Sequence, residues 1–161
     1  MNRAVEKMIE EFRNYWKHYV LQSLFATAAV FVVLYFLSLQ NAVIIASLGA
    51  STFIVFAMPD SVTAKPRNVI GGHLVGLFWG FVFSIVPHVD LIECIGCYAL
   101  AVGLSIFTMV VTDTEHPPAS GTALGVVITG ISPDVVTAVV LGSVLLSLIH
   151  RFFKPYLRDL T

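Results

Sequence analysis

The run Asp113-Thr114-Glu115-His116-Pro117-Pro118-Ala119-Ser120-Gly121-Thr122 gathers residue types that can hold an anion or pass a proton. Two prolines suit the first turn of a helix, where a missing N–H costs little. Ser120, Gly121 and Thr122 follow in that turn, and free amides and hydroxyls at a helix start form an anion site. His116 at the same mouth could add a hydrogen bond or a proton. A capped helix start beside a surface histidine is the plainer reading of the same residues.

A second run, Lys65-Pro66-Arg67-Asn68-Val69-Ile70-Gly71-Gly72-His73, repeats the theme. Pro66 marks a helix start. Lys65 and Arg67 would there oppose the positive end of the helix dipole. An anion, a carboxylate or a lipid phosphate would relieve that conflict; a snorkelling pair on the cytoplasmic side is the alternative. His73 lies about a turn and a half further in. Ionisable groups at such depth default to function, against a neutral imidazole bonded to a carbonyl. Ser47, Ser51 and Thr52, around Gly49, offer hydroxyls in another apolar stretch.

Other motifs read more plainly. Gly72, Gly76 and Gly80 form a small-xxx-small stripe for helix packing, and Gly121 and Gly125 repeat the spacing. Cys94-Ile95-Gly96-Cys97 follows His88, Asp90 and Glu93, but a lone C-x-x-C without a second pair predicts no metal site and no disulfide framework. No G-x-S-x-G, Walker-type loop or H-E-x-x-H occurs, so neither an enzyme nor a cofactor is expected.

These residues sit in a chain built for lipid. It has 161 residues, 57% hydrophobic and 12% charged, against roughly a quarter charged in soluble domains. The net charge of −1 gives no reason to expect nucleic-acid binding. No Asp, Glu, Lys or Arg occurs between Lys17 and Asp60, from Asn68 to before Asp90, from Cys94 to Thr112, or from Val135 to His150. About 20 apolar residues span a bilayer, and the first window suffices for two crossings. Six segments result: Tyr19–Leu39, closed by Gln40–Asn41; Ala42–Met58; Val69–Val86; Cys94–Thr112; Ala119–Ile131; and Val135–Ile149. Segment five is too short to cross as one helix, so it is a half-helix continued by irregular backbone or a re-entrant loop. Segment two is marginal in length and carries Gly49, which predicts a break there too.

Residues 3–17 read as an amphipathic interfacial helix, with Val5, Met8, Ile9, Phe12 and Trp16 at helical spacing. The domains are then residues 1–18 at the interface, 19–151 in the membrane and 152–161 as a cytoplasmic tail. No cleavable leader or transit peptide is read at the start. If all six segments cross with a cytoplasmic N-terminus, Arg3, Lys7, Arg13, Lys17, Lys65, Arg67, Arg151, Lys154 and Arg158 all lie inside. Re-entrant segments two and five would move Lys65 and Arg67 outside. Both topologies leave the two termini in the cytoplasm.

The chain also divides into halves. Pro59–Asp60 matches Pro133–Asp134, and the same offset carries Tyr19 to Glu93, the start of segment four. Three crossings per half make the halves inverted repeats, a plan common among transporters with interrupted helices. The predicted fold is an all-α membrane helix bundle of two such repeats.

His116-Pro117-Pro118, followed by Gly121, Thr122 and Ala123, resembles the signature of the HPP family of integral membrane proteins. Pro66 to His73 and Gly49-Ala50-Ser51 with the downstream Pro59 resemble further runs of that family, and the likeness covers Leu39 to Ile149 in order. The resemblance implies a protein usually described with four membrane segments, which disagrees with six. It also implies kinship to plastid and cyanobacterial members associated with nitrite transport. The lack of a readable transit peptide points to a bacterial inner membrane as location.

The reading is then a transporter or channel for a small inorganic anion, nitrite first, working as a homo-oligomer in the bilayer. The alternative is a ligand-binding or sensing module without transport. The expected anion contacts are Ser47, Ser51, Thr52, Arg67, Asn68, His73, His116, Ser120, Gly121 and Thr122. Amides at the starts of segments two and five would replace hydration, and Arg67 would supply charge.

Overall fold

Prolines and short polar side chains set where the helices begin. The computed structural model describes residues 3–36 and 42–160. They form six helices: α1 (Arg3–Phe36), α2 (Ala42–Ala57), α3 (Pro66–Ser84), α4 (Leu91–Val111), α5 (Pro117–Thr129) and α6 (Pro133–Phe153). Short 3-10 turns at Val62–Ala64 and Lys154–Tyr156 complete the chain. Pro66, Pro117 and Pro133 open α3, α5 and α6, where their fixed φ already suits a helix. Asp90 and Glu93 form a reciprocal capping box on α4, and Ser132 accepts the Val135 amide at α6. These caps start α3 to α6 two or three residues before the purely apolar stretches do.

Two expectations change. The interfacial helix at 3–17 and the first membrane segment are one unbroken helix, α1. Neither proline nor glycine interrupts that stretch. Val5, Ile9, Phe12 and Trp16 are exposed along it. The Gln40–Asn41 closure of segment one lies outside the described residues. Segment two is not broken: α2 runs continuously through Gly49, and Ser47, Ser51 and Thr52 lie mid-helix. Thr52 and Ser51 bond back to the carbonyls of Leu48 and Ser47, so their hydroxyls follow the helix rather than end it.

Segment five is short. The 13 residues of α5 rise about 20 Å, whereas the 21 residues of α4 rise about 31 Å. Non-helical backbone at Thr114–His116, extended at His116, supplies part of the difference. Asp113 turns into it with φ 55, a left-handed conformation that aspartate tolerates. Gly130 leaves α5 with φ 78, where a side chain would be strained.

The helix neighbours follow a pattern. α3 packs on α4, α5 and α6; α2 packs on α1, α5 and α6; α1 also touches α6, and α4 touches α5. Exchanging α1–α3 with α4–α6 maps this set of pairs onto itself. The tightest approach is α3 on α5. A Cβ on Gly72 would lie 2.7 Å from His116 Cβ, and one on Gly80 would lie 2.6 Å from Val126 Cβ. On Gly76 it would collide with the Ala119 carbonyl oxygen. The stripe therefore meets a helix of the same chain.

The α2–α3 and α4–α5 connections and the end of α6 gather at one end of the bundle. Arg67 pairs with Asp113 and Lys154 with Asp60. His150 Nε2 donates to the Pro59 carbonyl over 2.9 Å. The C-terminal residues fold back onto the bundle rather than trail as a tail. Leu160 N donates to Ala57 O, Gln22 Nε2 donates to Arg158 O, and Arg158 stacks on Tyr15 at 3.7 Å.

The outside of the bundle is greasy. α4, and α6 continued to Tyr156, are long and apolar enough to cross a membrane. On α4, Ile92, Ile95, Leu100, Phe107, Val110 and Val111 are all exposed. A contiguous apolar face of this kind belongs in lipid or against another protein.

Candidate functional site

The fold buries polar side chains where α2, α3 and α5 meet. Their carriers follow from helix periodicity. Ser47 and Ser51 are one turn apart on α2, His73 lies on the glycine face of α3, and Thr122 lies one turn beyond Pro118 on α5. His116 caps the start of α5 in an extended conformation, and its ring projects inward. All five are within 5% of full burial, with His73, His116, Ser51 and Thr122 at 0% exposed.

They form one continuous chain of contacts. His116 Nδ1 lies 2.8 Å from the Thr63 carbonyl, and His116 Nε2 lies 2.8 Å from Ser51 Oγ. Ser51 Oγ lies 2.9 Å from His73 Nε2, and His73 Nδ1 lies 2.8 Å from Thr122 Oγ1. Thr122 Oγ1 lies 2.9 Å from Ser47 Oγ, which donates to the Pro118 carbonyl over 2.5 Å. The two imidazole rings are 5.1 Å apart, centre to centre. The chain joins the Thr63 turn, at the polar end, to the body of the bundle. Every member that could exchange a proton is bonded to the next, the arrangement through which protons move along hydroxyls and imidazoles.

The second ring of partners holds the interruption open. The extended segment before α5 exposes carbonyls that no helix satisfies. Asn68 Nδ2 donates to Glu115 O over 3.1 Å, and Arg67 Nη2 donates to Thr112 O over 2.9 Å. Gly71 and Gly72 leave room for Thr114 and His116: a Cβ on Gly71 would sit 2.8 Å from Thr114 Cγ2. A crevice of about 260 Å³ runs along this segment, lined by Ile106, Met109, Val110, Glu115, His116, Pro117 and Ser120.

Buried histidines bonded to hydroxyls, inside a bundle whose outer helices are apolar, are the mark of a membrane protein's interior. The sequence family described as HPP, transmembrane region, matches residues 12–158. The chain belongs to the HPP transmembrane family. Like its family, it is an integral membrane protein. Two transmembrane proteins of Dictyostelium discoideum resemble it. One is 40% identical over 89 residues, covering 55% of this chain and 31% of the relative. The other is 35% identical over 82 residues, covering 50% and 26%. The chain thus matches under a third of the length of these curated relatives. No solved structure matches it.

Within this HPP chain the candidate residues divide. Ser47, Ser51, His73, His116 and Thr122 converge, and His116 is a buried residue rather than a surface one. Thr52 is buried but bonds only to its own helix at Leu48 O. Gly121 faces Ser47: a Cβ added there would lie 3.5 Å from Ser47 Cβ. Ser120 turns outward and donates to Pro117 O. Asn68 serves the Glu115 backbone. Arg67 is neutralised by Asp113 at 3.0 Å, with 64% of its side chain exposed.

The expected amide donors are absent as well. α2 has no start at Ala46–Thr52. At α5, Pro117 and Pro118 carry no N–H, and the Ala119 amide donates to His116 O. The polar groups gathered in this interior are therefore hydroxyls and imidazoles.

Sequence reasoning overlooked Gln22, His150 and the Thr63 carbonyl. Gln22 lies within the first apolar run and His150 closes the last, and those polar groups in apolar surroundings were the available signal. The Thr63 carbonyl carries no sequence signal at all.

Arg67→Ala should change stability little. An exposed ion pair contributes about 0–1 kcal/mol, and Thr112 O at the exposed loop can bond water instead. The expected shift in the free energy of SDS-induced unfolding is below about 1 kcal/mol; a larger loss would mean that the Asp113 turn depends on this residue.

Proposed function

We propose that this protein carries a small inorganic anion across the membrane, with nitrite as the first candidate. The observation that supports it is the uncharged hydroxyl–imidazole chain at the interrupted start of α5. An ion in transit needs donors to replace water, without a fixed opposite charge that would trap it. His73, Ser51 and Thr122 offer such donors, while Lys65 and Arg67 stay near the mouth. The described arrangement is packed, and serves this reading as an occluded conformation that must loosen around α5 to load.

Two further features favour transport over sensing. The neighbour pattern that survives exchange of α1–α3 with α4–α6 suits inverted repeats, in which one half rocks against the other. The basic residues at the Arg67–Lys154 end suit a cytoplasmic face with both termini inside, in an inner membrane. We also read the protein as a homo-oligomer without enzymatic activity. Because the Gly72–Gly80 stripe is occupied by α5, the contact between copies would use another face.

The test is uptake of labelled nitrite at neutral pH into proteoliposomes containing the purified protein. Uptake that saturates and exceeds protein-free liposomes is expected, with nitrate and formate as competitors. Flux no greater than in protein-free liposomes would reject the reading. Saturable binding without flux would replace it with the sensing alternative.

A further inference from the structure

The chain of contacts in the core ends on an acceptor at both sides. Thr63 and Pro118 present carbonyl oxygens, which bring no hydrogen. Between them stand six contacts: Thr63–His116, His116–Ser51, Ser51–His73, His73–Thr122, Thr122–Ser47 and Ser47–Pro118. Five side chains make them. Each neutral imidazole and each hydroxyl carries a single N–H or O–H hydrogen. Five hydrogens cannot fill six contacts.

No choice of tautomer removes the shortfall. If His116 donates to Thr63 and Ser47 donates to Pro118, both ends are filled. The four inner contacts then share three hydrogens, from Ser51, His73 and Thr122. One pair of lone pairs must face each other at 2.8–2.9 Å in a fully buried site. The additional contact of Ser51 Oγ with Ser47 O at 3.0 Å only deepens the deficit.

We infer that the core is a binding site for one proton, held in common by His116 and His73. Added to the neutral chain, a proton from water makes one imidazole an imidazolium and fills the sixth contact. His116 then donates to Thr63 O and Ser51, Ser51 to His73, His73 to Thr122, Thr122 to Ser47, and Ser47 to Pro118. No bond to carbon forms or breaks. When His116 passes its Nε2 hydrogen to Ser51 as Ser51 passes its own to His73 Nε2, the charge moves between the rings across a single hydroxyl.

The surroundings leave the charge to this pair. α2 and α5 carry no Asp, Glu, Lys or Arg. α3 contributes Lys65 and Arg67 at its start, and Arg67 is paired with Asp113. The loop before α5 contributes Asp113 and Glu115. From α6, His150 is engaged by Pro59 O; from α4, Glu93 sits at the opposite end in its capping box. Glu115 is the carboxylate nearest in sequence to offset the added charge. The inference rests on counting hydrogens, so it stands whether or not nitrite is the cargo.

Nitrogen NMR of the full chain, labelled with 15N-histidine and reconstituted in lipid vesicles, tests it. As the pH is lowered, His73 and His116 should gain one proton between them, with one shared midpoint. Ser51→Ala removes the bridging hydroxyl and should separate the rings, so that the shared midpoint is lost. Two rings that stay neutral throughout, or that each gain a full proton independently, would overturn the inference. So would a shared midpoint that survives Ser51→Ala. Should Ser51→Ala fail to fold, the proton count on the unaltered protein still decides.

Discussion

Gly76→Leu should abolish the folded protein. A side chain there would start inside the contact radius of the Ala119 carbonyl, and its Cβ would lie 3.2 Å from Thr122 Cβ. Backbone, not the end of a flexible side chain, stands in the way, so a rotamer change gives no relief. Overpacking in cores commonly costs about 1–3 kcal/mol. Here α3 and α5 must separate along a stripe that also fits Gly72 and Gly80, so the loss should reach the upper end or exceed it. The separation would also pull Thr122 away from His73. Size-exclusion chromatography in detergent should show aggregate in place of a monodisperse species. Gly103→Ala is the control. Nothing lies within 4 Å of a Cβ there, and it sits mid-helix in α4. That change should be neutral or raise stability by up to about 1 kcal/mol. A folded Gly76→Leu protein would mean that α3 and α5 are not in close contact in the membrane.

If the protein transports as proposed, His73→Phe should leave it folded with uptake sharply reduced. Phenylalanine keeps the bulk of the ring but loses contacts of 2.9 Å to Ser51 and 2.8 Å to Thr122. Two buried hydroxyls lose a partner. Each loss costs about 1–3 kcal/mol in a water-soluble interior, and closer to about 0.6 kcal/mol where membrane measurements are the guide. Ser51 retains His116 and Ser47 O, and Thr122 retains Ser47, which favours the smaller figure. Transport has no such reserve, because the chain is cut at its middle. Uptake should fall at least about tenfold, the equivalent of about 1.4 kcal/mol, with the protein still monodisperse. Full uptake by folded His73→Phe would remove the polar core from the transport path.

The sequence alone determined that this chain lives in lipid, and that it has six apolar segments with a short fifth. The reason is that hydrocarbon excludes charge, so long windows without Asp, Glu, Lys or Arg are legible one residue at a time. Proline chemistry is equally local, and Pro66 and Pro117 mark the starts of α3 and α5; the caps Asp90 and Ser132 start α4 and α6 three and two residues before the apolar runs from which those segments are read. The likeness of His116-Pro117-Pro118 and of Pro66–His73 to the HPP family was readable in the same way. The continuity of α2 was not. A glycine flanked by serines marks a break or a packing contact equally well, and only the neighbours of Ser47 and Ser51 distinguish the two.

Tertiary structure alone decided which polar residues share a site. His73 and Thr122 are 49 positions apart, and Ser51 and His116 are 65 apart. No spacing rule joins them. The approach of α3 to α5 across Gly72, Gly76 and Gly80 brings His73 to Thr122, and α2, packed on α5, brings Ser51 within reach of both histidines. The same packing turned Ser120 outward, gave Arg67 to Asp113, and closed a chain of hydrogen bonds between two carbonyls. Which groups meet is a property of helices in contact, because a hydrogen bond reaches about 3 Å and a helix spacing about 8–10 Å, while sequence order constrains neither.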